Sequence, residues 1–118
     1  MGLDDFFWEH DESRRIFDAV ADAVAALGPL DLRVSKSQVA FRRRVNFAFA
    51  WMPEIYLGRR DVPLVLTVAL RRRDASPRWK QVVEPHPGRF THHLELHSTD
   101  DIDEQVRAWL REAWESAA

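Results

Sequence analysis

An α+β two-layer sandwich is the fold class this sequence predicts, on three observations. The chain opens and closes on amphipathic helical patterns, the segments between them alternate with the two-residue period of strands, and no long linker interrupts them. The expected architecture is an antiparallel sheet of about five strands, with the N- and C-terminal helices on one face. With 118 residues and no internal Pro/Gly/Ser linker, one domain over residues 1–118 is expected. A chain of this size buries about 65% of its unfolded surface, enough for a core without covalent staples.

Phe6, Phe7 and Trp8 are too many aromatics to leave exposed and are expected to fold back as a staple or short helical turn. Asp11 is placed to cap the first long helix, where Ile16, Val20, Val24 and Leu27 recur at helical spacing and Phe17, Ala21 and Ala25 widen the stripe. Gly28 and Pro29 stop it, the glycine as a left-handed cap and the proline as a block to continuation. Leu32 and Val34 begin a strand, and Ser35 to Gln38 turns it into Val39–Arg42. Phe47, Phe49 and Trp51 alternate along the next strand, closed by Pro53, and Ile55 to Asp61 reads as a loop.

Pro63 to Leu70 is apolar on both faces and is expected to be the central strand. Trp79 to Val83 reads as a short edge strand, after which Pro85, Pro87 and Gly88 enforce a loop. The last strand, Phe90 to His97, turns Phe90, His92, Leu94 and Leu96 one way and Thr91, His93, Glu95 and His97 the other. Ser98, with Asp101 as capping partner, is expected to start the closing helix, whose stripe includes Ile102, Val106, Trp109, Leu110 and Trp114.

Composition excludes several chemistries. The chain has no cysteine, which removes disulfides, zinc-thiolate sites and cysteine nucleophiles and fits a reducing compartment. The longest apolar run, Val62 to Leu70, has nine residues, far short of a membrane span, and Phe6 to Trp8 lacks a basic leader, so a cytoplasmic protein with no membrane partner is expected. The four glycines are isolated, which leaves no glycine-rich phosphate loop. Ser35 and Ser37 flank Lys36 in a turn at a spacing that matches no nucleophile motif, and paired acids are confined to helix starts.

Charge is segregated along the chain. Residues 1–31 hold two Arg against eight acids, a net of −6, residues 32–97 hold thirteen Arg and Lys against five acids, a net of +8, and residues 98–118 hold two Arg against six acids, a net of −4. One reading packs acidic helices against a basic sheet and loops, and the other gives the basic segment an anionic partner. The second gathers Arg42, Arg43, Arg44, Arg72, Arg78 and Lys80 into an anion site at one rim of the sheet. Trp51, Tyr56 and Trp79 lie between these clusters, as phosphate contact with base stacking requires. Strict alternation would send Arg43 to the core side occupied by Phe41, so the strand must end or bulge near it.

The sheet face away from the helices is the second candidate. Ala48, Ala50, Val65, Thr67 and Ala69 are expected there beside Thr91, His93, Glu95 and His97, making a shallow trough. Lys36, Trp51, Trp79, His93 and Glu95 are its candidate ligand contacts. His93, Glu95 and His97 alternate at about 6.6–7 Å along one face, a workable span for two ligands on one ion. No further ligands cluster with them, so no metal and no cofactor are expected. His92 belongs with the core and reads as a satisfied buried histidine, or one near Trp109.

The strings Ser35-Lys36-Ser37-Gln38-Val39-Ala40-Phe41, Ser76-Pro77-Arg78-Trp79 and His92-His93-Leu94-Glu95-Leu96, followed by the helix containing Asp103, resemble the domain of unknown function 5655 in its stand-alone, actinobacterial form. The resemblance runs from Phe6 to Trp114. The family has no established activity, and its fusion to other modules implies recognition or binding more than self-contained catalysis. The leading expectation is therefore a small binding module that takes an anionic partner, nucleic acid or a phosphorylated ligand, through the basic hairpin rim and the trough. A homodimeric interaction domain whose sheet face is covered by its own copy is the alternative. An enzyme working from the His93/Glu95/His97 face comes third.

Overall fold

In a computed structural model, which describes residues 1–118 except for the side chain of Tyr56, the chain is an α+β sandwich. Two helices open it, α1 (Leu3–Phe6) and α2 (Asp11–Ala25). Strands β1 (Asp31–Val34), β2 (Val39–Arg42) and β3 (Asn46–Trp51) follow, then a short helix α3 (Pro53–Leu57). Strands β4 (Leu64–Leu70), β5 (Gln81–His86) and β6 (Arg89–Leu96) complete the sheet, and α4 (Glu104–Ser116) closes the chain. The sheet has six strands in the order β1-β2-β3-β4-β6-β5, every pairing antiparallel. All seven residues of β4 are buried, as its two apolar faces predict.

The core lies between the sheet and α2 with α4. Phe7, Phe17, Phe41 and Phe47 form a chain of ring contacts with centroids 5.0, 5.8 and 6.4 Å apart, which ties the N-terminal helices to the β2–β3 hairpin. Each ring buried this deeply contributes about 1.5–3 kcal/mol from surface removed from water. Ser13, buried on α2, donates its hydroxyl to the Pro63 carbonyl at 2.7 Å and so anchors the helix to the segment entering β4. Past α2, Gly28 sits at φ +149°, and a methyl group there would lie 2.6 Å from Trp114 Cζ2. The glycine is needed both for its backbone angle and for the close approach of α4.

Several boundaries differ from the sequence reading. Asp11 is the first helical residue and His10 the N-cap. Trp8 is 71% exposed, because Phe6 and Phe7 alone fill the space beside α2. Part of the expected loop after Pro53 is helical, with the proline at the start of α3 and Gly58 in the left-handed region at its end. The edge strand begins two residues later than expected and runs through Pro85, which an edge strand tolerates because one side of its backbone has no partner. Ser98 and Asp101 form a capping box, but on a 3-10 turn, Thr99–Asp101. The cap of α4 is Asp103, whose carboxylate accepts from the Val106 N–H at 3.0 Å.

The difference that matters most for the site is in β3. Phe41 pairs with Ala48 and Arg42 with Asn46, so Phe47 is the extra residue of a β-bulge. The bulge turns both Phe47 and Ala48 into the core and inverts the parity of the rest of the strand. Ala48 and Ala50 therefore face the helices, in register with Val68 and Leu66, while Phe49 and Trp51 face away with Thr67 and Val65. Among the described residues, no helix is long and apolar enough to cross a membrane.

Candidate functional site

The structure does not assemble the six-residue anion site. Arg42, Arg43 and Arg44 lie where β2 turns into β3, and the segment after β4 brings Arg71 to the same end of the sheet. Two of these guanidinium groups, those of Arg43 and Arg71, are occupied by the C-terminal end of α4, whereas Arg42 donates to Asn46 Oδ1 at 3.4 Å and the Arg44 side chain is exposed. The Arg43 guanidinium lies 3.7 Å from the Trp114 ring centroid and donates to the Trp114 carbonyl at 2.9 Å. The Arg44 backbone N–H donates to Ala117 O at 2.9 Å, and Arg71 donates to Ser116 O at 3.0 Å. Helix α4 has no basic residue in its own last turn, so the sheet supplies the cations that its exposed carbonyls and negative dipole end favour.

Arg72 is a fork on Glu112, with both bonds at 2.9 Å, and also reaches Asp74 at 2.8 Å. These bonds, led by those to Glu112, hold its pKa above the ordinary arginine value. Arg78 binds at the other end of α4, donating to both Asp103 oxygens at 3.0 Å and to Gln105 at 2.9 Å. A helix of 13 residues is about 20 Å long, so Arg78 and Arg43 stand well apart. The basic strip and the acidic closing helix are thus packed against each other, the first of the two charge readings above. Exposed pairs of this kind contribute only about 0–1 kcal/mol each, so they set orientation more than stability.

Trp79 is a second correction. It belongs to the helix side of the sheet, with its ring 4.1 Å from Trp109 and 4.8 Å from His92, and its Nε1–H donates to Asp74 at 2.8 Å. The chain enters β5 only after Trp79, and the residue is already inside the core when the strand begins. Burial pushes the Asp74 carboxyl up, but bonds from Trp79, the Ser76 N–H and Arg72 together bring it below the usual carboxylate value. His92 is fully buried, as its side of the strand predicts. The Asp74 N–H donates to its Nε2 at 2.9 Å, which leaves the proton of the neutral ring on Nδ1, 3.2 Å from the Val68 and Phe90 carbonyls.

The trough does form on the face away from the helices. Its floor is the cross-strand row Phe49, Thr67 and His93, flanked by Trp51, Val65 and Glu95 one step along. One chamber, of about 470 Å³, is walled by Phe49, Trp51 and Leu57 with Thr67, Thr91 and His93. A second, of about 430 Å³, shares Trp51, Leu57 and His93 and adds Val65, Lys80 and Glu95. Lys36 is exposed at the tip of the β1–β2 turn and lines neither chamber, whereas its neighbours Ser37 and Gln38 line the first. The side chain of Tyr56 lies outside the described residues.

A short relay fixes the chemistry of the floor. Trp51 Nε1–H donates to Thr67 Oγ1 at 3.1 Å, and Thr67 Oγ1 lies 2.7 Å from His93 Nδ1. Indole can only donate, so it occupies a lone pair on Thr67, and the threonine hydroxyl proton is satisfied by pointing at Nδ1. The neutral His93 ring then carries its proton on Nε2, which has no partner among the described residues. The Trp51 ring stands edge-on to that imidazole, at 86° and 6.3 Å between centroids. Burial holds the His93 pKa below the ordinary histidine range, with a lesser push from His92.

Glu95 is held by Arg59 at 3.2 Å, and Arg59 also forks onto Asp61. His97 Nε2 is 3.9 Å from the same Glu95. His93 is thus committed through Nδ1 to Thr67 while His97 leans on Glu95, and among the described residues no group of three acids or histidines is placed to hold a metal ion. Sequence reasoning missed Phe49, Leu57, Arg59 and Gln81 here, along with Ser37, Gln38 and Pro53 at the edges of the chambers. A glycine or a special turn residue marks many bulges, but Phe47 carries no such signal, so the shifted parity of β3 had no trace in the sequence.

Comparison with family models matched one family, described as Domain of unknown function (DUF5655), over residues 4–117. No curated protein and no solved structure matches the chain.

Proposed function

We propose a ligand-binding role, without a reaction of its own, for this chain, which belongs to the family described as Domain of unknown function (DUF5655). The binding site is the trough, and the ligand is a small molecule. The observation that carries this reading is the pair of adjoining chambers, of about 470 and 430 Å³, that share Trp51, Leu57 and His93. Small-molecule sites are concave, of roughly 300–1,000 Å³, and mostly apolar with a few well-placed polar groups. The trough fits that description, with aromatic and aliphatic walls around one oriented imidazole. The hairpin rim suits an anionic partner less well, since Arg43, Arg71, Arg72 and Arg78 are occupied by α4 and its neighbours.

A fragment screen read by amide chemical shifts of the native protein tests the reading. Fragments with a flat apolar body should shift the amides of Phe49, Trp51, Thr67, Thr91 and His93 in a saturable way. Shifts confined to Arg42–Arg44 and the end of α4, or no saturable shift at all, would count against the trough.

A further inference from the structure

We infer that the trough takes a small molecule with a planar apolar body and a single carboxylate, the carboxylate bound between His93 Nε2–H and the Lys80 ammonium. This deepens the trough reading and rests on it. Three features of the trough, spanning both chambers, converge on that class. The first is the hydrogen-bond relay from Trp51 through Thr67 to His93 Nδ1, which leaves the opposite ring nitrogen as a donor without a protein acceptor among the described residues. An imidazole N–H held this way selects an acceptor atom on the ligand.

The second feature is charge. Lys80 and Arg59 are the cations lining the chamber and Glu95 is the acid. Arg59 is occupied by Glu95 at 3.2 Å and by Asp61 at 2.8 Å, so its charge is already committed to protein carboxylates. Lys80 makes no ion pair among the described residues, and its backbone is fixed to the same strand, its N–H donating to the His93 carbonyl at 2.8 Å. One uncommitted cation beside one neutral donor matches one negative charge with two acceptor oxygens. A phosphate dianion would set a second charge near Glu95 with no cation left to balance it.

The third feature is shape. Phe49 and Trp51 supply aromatic surface and Leu57 and Val65 aliphatic surface, with the polar groups at one side, so a flat apolar body and a polar head are accommodated together. Leu57 is 61% exposed and Trp51 is partly so, apolar surface that a ligand of this class would cover.

The matched pair 2-naphthoate and 2-naphthamide separates charge from shape, because the two differ only in the head group. Titrations of the native protein, followed by amide shifts of the trough residues, are expected to give an affinity for the carboxylate about tenfold higher than for the amide, the margin of a charge-assisted over a neutral hydrogen bond. Lys80→Gln, at an exposed position, should bring the two affinities together, and His93→Gln should weaken the carboxylate. Equal binding of both compounds in the trough would overturn the carboxylate assignment while leaving the trough as a ligand site. So would a preference that survives Lys80→Gln unchanged. No trough shift with either compound or with any fragment in the wider screen would instead overturn the reading beneath it.

Discussion

Trp109→Ala is expected to lower the unfolding free energy by about 3–5 kcal/mol, a large fraction of the roughly 5–15 kcal/mol margin of a folded domain. Trp109 is 5% exposed and packs against Trp79 in a tilted pair, with centroids 4.1 Å apart and ring planes at 37°. Trp79 in turn packs on His92 and donates to Asp74, and the Arg78 guanidinium sits 5.7 Å from the Trp109 ring. Truncating the indole therefore opens a cavity between α4 and Trp79 and removes support from both Trp79 and Arg78. Urea unfolding followed by far-UV circular dichroism should show a lower midpoint with an unchanged slope. A loss below about 1 kcal/mol would mean that α4 is not seated through this residue.

His92→Ala is the second large effect, an expected loss of about 2–5 kcal/mol. The imidazole is fully buried, so its removal leaves both a cavity and an Asp74 N–H without its acceptor. Wild-type stability should also carry a pH signature from this ring and from His93. Burial lowers both pKa values, so the unfolded chain takes up protons first as the pH falls. The stability that the neutral rings contribute is complete above the unfolded value of about 6.5 and is lost as the pH drops through the lower folded values. The Asp61, Asp74 and Asp103 carboxylates, all held below their usual value, act with the same sign in a separate window below about pH 4. Midpoints measured from pH 7.5 to 5 should fall in the wild type and fall less in His92→Ala. A flat wild-type profile across that range would show that the rings are not held neutral.

Much of this architecture was legible because the physical signals are strong. The stripe from Ile16 to Val24, the two apolar faces of Leu64–Leu70 and the alternation from Phe90 to Leu96 each bury what their spacing says they bury. The expectation that the β2 strand must end or bulge near Arg43, since an arginine cannot follow Phe41 into the core, agrees with the β2–β3 ladder. What stayed hidden depended on contacts distant in sequence. The bulge at Phe47 decided which side of β3 holds Phe49 and Trp51, and so decided the walls of the trough. The employment of Arg43, Arg71 and Arg72 by α4 could not be seen without knowing where that helix ends. Trp79 read as the first residue of an edge strand and a contact of the trough, yet the turn after Pro77 carries it into the core against Trp109.

The crystal structure of the native protein soaked with 2-naphthoate tests most directly whether the trough is a ligand site. Density is expected for the ring system against Phe49, Trp51 and Leu57, with the carboxylate within hydrogen-bond distance of His93 Nε2 and close to Lys80. A structure in which the compound lies only among Arg42, Arg43 and Arg44, or in which the trough stays empty at saturating compound, would contradict that expectation.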